Sequence, residues 1–186
     1  MDVGELTAQL RALGIRQEGD PVLRQECEPF DLPHQRADAL ALWEQLRRRV
    51  DQLQQLYPFT KGVGLAAPQI GIPRAMSIVR PADGGDDLAL INPIVLWQSD
   101  DQDEKYEGCL SFFDVRVPVP RPLAIRIQLR TLDGQRVKHA YDRGLARLVL
   151  HEIDHLDGTL ARDRIRPGCR PIPLSDYRDG SHDWEY

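Results

Sequence analysis

No run of 18 consecutive apolar residues occurs in this 186-residue chain, which argues against a membrane-spanning helix. Cysteine is scarce: Cys27, Cys109 and Cys169 are odd in number and far apart, a poor basis for a disulfide framework and a normal complement for a reducing compartment. Charge of one sign never accumulates. The 24 basic and 29 acidic residues are interspersed to a formal net charge of −5, so direct nucleic-acid binding is not expected. The opening residues lack the apolar core of a secretory signal and carry acids at Asp2 and Glu5, so a cytoplasmic location is the expectation. Internal repeats and low-complexity linkers are also missing. A chain of this length buries about 70% of its unfolded surface, enough for one domain with a real core.

What is present is one long helical stretch, a run of short strands and a second helix. From Gln35 to Tyr57, the residues Leu40, Trp43, Leu46, Val50, Leu53 and Leu56 recur at spacings of three or four among polar residues, the mark of an amphipathic helix. Pro58 stops it. Strands are expected at 74–79, 88–91 and 94–97, and the proline-rich segment Val115 to Pro122 suits an edge or irregular strand. The clearest strand runs from Pro122 to Thr131, where Ile125, Ile127 and Leu129 alternate with Arg126, Gln128 and Arg130. Asp133-Gly134 then turns the chain into Arg136 to Tyr141, a hairpin with one buried face. The second helix begins near Asp142 or Gly144 and is apolar over most of its circumference, with Gly158 at its end. From Arg162 onward, turn formers without a helical period predict an extended or partly disordered tail.

On that second helix lies the pentad His151-Glu152-Ile153-Asp154-His155. Positions i and i+4 share a helix face, so both imidazoles can reach one ion with Glu152 beside them. Two imidazoles and a carboxylate on an otherwise apolar helix need a partner, and a divalent metal supplies one. A catalytic metal site needs a third protein ligand and an open position. Downstream of the pentad the only glutamate is Glu185 in the tail, so the third ligand is sought upstream. The candidate is Cys109, in Glu107-Gly108-Cys109-Leu110-Ser111, although such a cysteine is also compatible with an ordinary buried thiol. The expected class is α+β, with short antiparallel strands packed around a central metal-bearing C-terminal helix and an N-terminal amphipathic helix.

A third segment, Gly62-Val63-Gly64-Leu65-Ala66-Ala67-Pro68-Gln69-Ile70-Gly71, has glycines where backbone comes close to something and one amide, Gln69, able to donate hydrogen bonds. GVGLAAPQIG, EGCLS and HEIDH in this order, with GDPVLR at Gly19 to Arg24, resemble the peptide deformylases over about residues 15 to 165. The resemblance implies a catalytic domain at 1–165 and a tail at 166–186. It also implies the reaction, hydrolytic removal of the N-formyl group from the terminal methionine of new polypeptides, with nascent chains near the ribosome as partners. By that similarity Cys109, His151 and His155 hold one divalent ion, Fe(II) in the cell with zinc, nickel or cobalt as substitutes. Glu152 is then the general base and acid, while the Gln69 side chain and the Leu110 backbone N–H hold the oxyanion. Val63 and Gly64 pair with the substrate backbone, Gly108 joins them at the substrate, and Asp154 pairs with Arg121.

This chain departs from the family pattern at Leu150, where glutamine is usual, and at Phe112-Phe113, where an aliphatic residue and proline are usual. Arg147, one turn before His151, occupies a position expected to be apolar and near the methionine pocket. It is carried as a substrate-binding candidate, against the alternative of a guanidinium paired with nearby carboxylates. Competing functions are a zinc peptidase, and a divergent paralogue that acts on another N-formylated substrate or binds formylated N-termini without turnover.

Overall fold

The computed structural model describes residues 3–177. Two helices lead into the strands: α1 (Val3–Ala12) buries Leu6 and Leu10, one turn apart, and α2 (Arg36–Leu56) buries Ala39, Leu42, Leu46, Val50 and Leu53. The second helix stops where expected. Pro58 disfavours helical backbone at the residue before it, and Tyr57 is extended at φ −148° and ψ 133°.

Nine strands follow among the described residues: β1 (Val63–Ala66), β2 (Met76–Arg80), β3 (Leu88–Ile91), β4 (Ile94–Gln98), β5 (Gln102–Glu107), β6 (Val115–Pro122), β7 (Ala124–Arg130), β8 (Arg136–Asp142) and β9 (Ile172–Pro173). They form three antiparallel sheets in the orders β1-β2-β3, β4-β7-β8 and β5-β6-β9. The β7–β8 hairpin turns at Asp133-Gly134 and pairs Ala124 with Asp142 through to Arg130 with Arg136. Pro118, Pro120 and Pro122 alternate along β6. Their missing N–H groups therefore face one edge of the strand, and β9 pairs with Val115 and Arg116.

The helix α3 (Arg143–Leu156) is the centre of the molecule, with every residue from Val149 to Leu156 buried. Ala146, Val149, Leu150 and Ile153 form one stripe that packs on Ile125, Ile127 and Leu129 of β7 with Val79 and Leu90. The adjacent stripe carries Arg147, His151 and His155 toward β1 and the 107–111 segment. A separate core joins α1, α2, β1 and β2 and includes Phe113 and Leu174.

Three elements differ from the sequence expectation. The helix α1 has no counterpart in it; this helix is ten residues long and contains Gly4, so its period is faint. The strand β5 reads QDEKYE and shows no apolar alternation, yet it pairs along its full length with β6. The tail, expected to be extended or partly disordered, carries β9 and one helical turn, α4 (Leu174–Tyr177), within the described residues. Residues 178–186 lie outside them.

Candidate active site

Cys109, His151 and His155 are buried, and their ligand atoms lie within 4.8 Å of one another. Cys109 Sγ is 3.3 Å from His155 Nε2, close to the donor spacing of about 3.5 Å that a tetrahedral ion with thiolate and imidazole ligands requires. His151 directs Nδ1 to Glu107 Oε2 at 2.9 Å, leaving Nε2 for an ion. A carboxylate on the far ring nitrogen fixes the orientation of a metal-binding imidazole. The donor set and its support therefore fit a divalent cation, with two borderline imidazoles and one soft thiolate.

Glu152 flanks this cluster and is 2% exposed. Its Oε2 has no hydrogen-bond partner among the described residues. A side chain at Gly64 would overlap the Glu152 carboxylate, so β1 approaches the site this closely only because Gly64 has no Cβ. Burial, opposed by the His151 and Arg121 charges and reinforced by Glu107 and Asp154, pushes the Glu152 carboxyl up to about 7.

Gln69 is locked. Its Oε1 accepts the Ala66 N–H at 2.9 Å, which turns Nε2 toward Ser111 Oγ at 3.2 Å and Cys109 Sγ at 3.7 Å. Among the described residues the Leu110 N–H, next to Cys109, meets no protein acceptor. Two donors thus sit beside the cluster.

Glu107 is the residue that the sequence did not single out, and it ties the site together. Arg121 binds it in a fork, Nε and Nη2 each at 2.9 Å, while Arg147 Nη1 reaches Oε1 at 2.7 Å and His151 takes Oε2. Burial alone would raise its carboxyl, but the Arg121 charge and the hydrogen bonds from Arg121 and His151 hold it well below the usual carboxylate range. Arg121 also donates to Asp154 at 2.6 Å, and Arg164 caps the other Asp154 oxygen at 2.6 Å. Glu107 and Asp154 thus balance Arg121 and Arg147, and the four buried charges cancel. The signal was Glu107's place two residues before Cys109, which only the folded pairing of β5 with β6 makes meaningful.

A cavity of about 210 Å³ opens on these groups, lined by Val63, Gly64, Gln69, Glu107, Gly108, Cys109, Leu110, Arg147, His151 and Glu152, with Tyr57, Phe59, Tyr106, Phe113, Arg116 and Tyr177 among its other walls. His155, Asp154 and Arg121 are not on its surface. Gly108 leaves room for the Arg116 guanidinium, which a Cβ there would strike. Arg147 lines the cavity while its guanidinium turns to Glu107, to Val119 O at 2.9 Å and to Asp103 Oδ1 at 2.6 Å. Of the departures from the family pattern, Phe113 faces the cavity, Phe112 packs with Leu23, Val117 and Leu160, and Leu150 sits in the β7-side core.

Comparison with known proteins gives one consistent result. The family model described as "Polypeptide deformylase" matches residues 12–170. The chain is similar to the peptide deformylase of Agrobacterium fabrum, 40% identical over 149 residues that cover 78% of this chain and 82% of that protein. It is similar to the crystal structure of the Thermotoga maritima peptide deformylase with a TM-score of 0.69 and 34% identity, covering 82% of this chain and 97% of that one. A Met-Ala-Ser-bound class I type b peptide deformylase from Acinetobacter baumannii matches with a TM-score of 0.71 and 29% identity, covering 81% of this chain and 96% of that one.

Proposed function

The chain belongs to the polypeptide deformylase family of metal-dependent hydrolases, and from that premise we propose that it removes the N-formyl group from the terminal methionine of polypeptides. The observation that carries this reading is the convergence of Cys109, His151 and His155, with Cys109 and His151 lining one cavity together with Glu152 and Gln69. Cys109, His151 and His155 would hold one ion, ferrous iron in the cell, with zinc, nickel or cobalt as substitutes. When bound, the ion supplies a Lewis acid that lowers the pKa of water toward neutrality.

This chain's residues do the rest. Among the described residues β1 pairs with β2 alone, so the other edge of Val63 and Gly64 can take an extended peptide that adds as a further strand. Gly108 and Arg147 also line the cavity. Glu152 takes a proton from the attacking water and returns it to the amine nitrogen as the C–N bond breaks, giving formate and a free amine. As the formyl oxygen gains charge, Gln69 Nε2 and the Leu110 N–H donate to it, each worth roughly 3 kcal/mol of barrier. Arg121 holds Asp154 and Glu107 in place, and Glu107 holds His151.

The test is formate release from formyl-Met-Ala-Ser by protein prepared anaerobically with iron or reconstituted with nickel, beside Glu152→Ala. Turnover that disappears in the variant is the expected result. A folded, metal-loaded wild type that releases no formate would overturn the reading.

A further inference from the structure

The family model ends at residue 170, yet the chain beyond it returns to the cavity and builds part of its wall. Three anchors fix the return. β9 pairs Ile172 with Arg116 and Pro173 with Val115. The Leu174 N–H donates to Asp114 O at 2.9 Å, and the Leu174 side chain is 2% exposed in the same core as Phe113. From there α4 carries Tyr177 onto the cavity wall. Its ring meets that of Tyr106 edge to face, with centroids 6.0 Å apart, and lies 5.9 Å from the Arg116 guanidinium. Arg116 in turn sits 4.9 Å above the Phe113 ring and packs against Gly108.

Depth separates this wall from the chemistry. Cys109, His151 and Glu152 are buried, whereas Tyr106 and Tyr177 are each partly exposed, so the tyrosine pair stands at the mouth. An extended peptide whose formyl end lies at Glu152 carries its later residues outward from that depth, each residue advancing about 3.3 Å, and the tyrosine pair is part of the wall that it passes.

We propose that Tyr177 is a specificity-determining residue that contacts the second and third residues of the peptide, so that the segment Ile172–Tyr177 completes a subsite lying outside the family-matched part of the chain. This rests on the deformylase reading of the site. Aromatic rings at such a rim offer large, stiff contact area with little side-chain entropy to lose.

The experiment compares wild type, Tyr177→Ala and Tyr177→Phe, all metal-loaded, on formyl-methioninamide and on formyl-Met-Ala-Ser. Tyr177→Ala is expected to lower kcat/KM for the tripeptide about three- to tenfold, through KM, and to leave formyl-methioninamide within twofold; Tyr177→Phe restores the tripeptide value. Equal losses on both substrates, or no loss on either, overturn the proposal. Calorimetric binding of Met-Ala-Ser gives a readout apart from turnover. Weaker binding in Tyr177→Ala supports the wall even if no formate is released, which would count against the deformylase reading alone, and unchanged binding overturns the wall.

Discussion

Replacing Arg147 with leucine tests whether the buried charge network stabilises this fold or only orients its parts. The variant removes the hydrogen bonds to Glu107 Oε1, to the Val119 carbonyl and to Asp103 together. Their worth differs. The Asp103 side chain is 38% exposed, so that ion pair is screened and worth about 1 kcal/mol or less. The Val119 carbonyl loses its donor in a buried strand, at about 1 kcal/mol. Glu107 is 5% exposed but keeps the Arg121 fork and His151, so its charge is not abandoned. The loss there is nearer the roughly 2 kcal/mol of one charge-assisted hydrogen bond than the 3–5 kcal/mol of a broken isolated pair. Leucine gives back about 1 kcal/mol, because the arginine stem already covered much of the same apolar surface. The expected net loss is about 2–3 kcal/mol, a fall in Tm of roughly 5–10 °C for a chain of this size. Urea and thermal unfolding of both proteins, metal-free and at equal concentration, measure it. An Arg147→Leu variant as stable as wild type, or more so, would refute the reasoning and mean that Arg121 and His151 alone satisfy Glu107, the arginine having cost in desolvation what it returned.

Four other outcomes follow from the same geometry. Glu152→Ala should cut kcat by about 10²–10⁴ while leaving metal affinity nearly intact, since Glu152 flanks the donor cluster without belonging to it; kcat against metal Kd separates the two. Cys109→Ala should abolish tight metal retention in a chelator competition, whereas a peptidase-type site using only the helix residues would keep it. Glu107→Gln should weaken metal retention about 10- to 100-fold by freeing the His151 ring, read in the same competition. Cys27, pushed up to about 12 by burial and by the Asp157 and Glu26 charges, should resist a thiol reagent at pH 8 in the folded protein while the partly exposed Cys169 reacts. The sign for stability is fixed too. The folded thiol holds its proton where the unfolded one, near 8.5, releases it, so Cys27's contribution is complete below about 8.5 and is lost as pH rises toward 12.

The sequence disclosed those elements whose stabilising contacts leave a period. α2 and the β7–β8 hairpin each bury one face, and a one-sided burial must repeat at 3.6 or at 2 residues. β5 buries little of itself, exists through its partner β6 and uses charged side chains, so no local pattern could announce it. α1 relies on two leucines, Leu6 and Leu10, too few for a period to stand out. The tail's short strand exists because the Val115–Arg116 end of β6 accepts Pro173 and Ile172 as ladder partners and the Phe113 core accepts Leu174, facts about other parts of the chain.

The site divides the same way. Cys109, His151, Glu152 and His155 were visible because metal chemistry demands particular residue types, and helical spacing places three of them together. Arg147 was visible only as an anomaly, a guanidinium where an apolar side chain was expected, and its explanation lay in Asp103 and Glu107, 44 and 40 residues earlier. Glu107 stands two residues before Cys109, a spacing that has no meaning on its own. It matters because β5 pairs with β6 so that Glu107 and Arg121 come within a fork's reach, with α3 supplying His151 and Arg147 from the other side. A buried carboxylate that pairs with two guanidiniums and fixes the His151 ring can be assembled only by tertiary contact, and so the donor residues of this centre could be read in one dimension while the group that holds them in place could not.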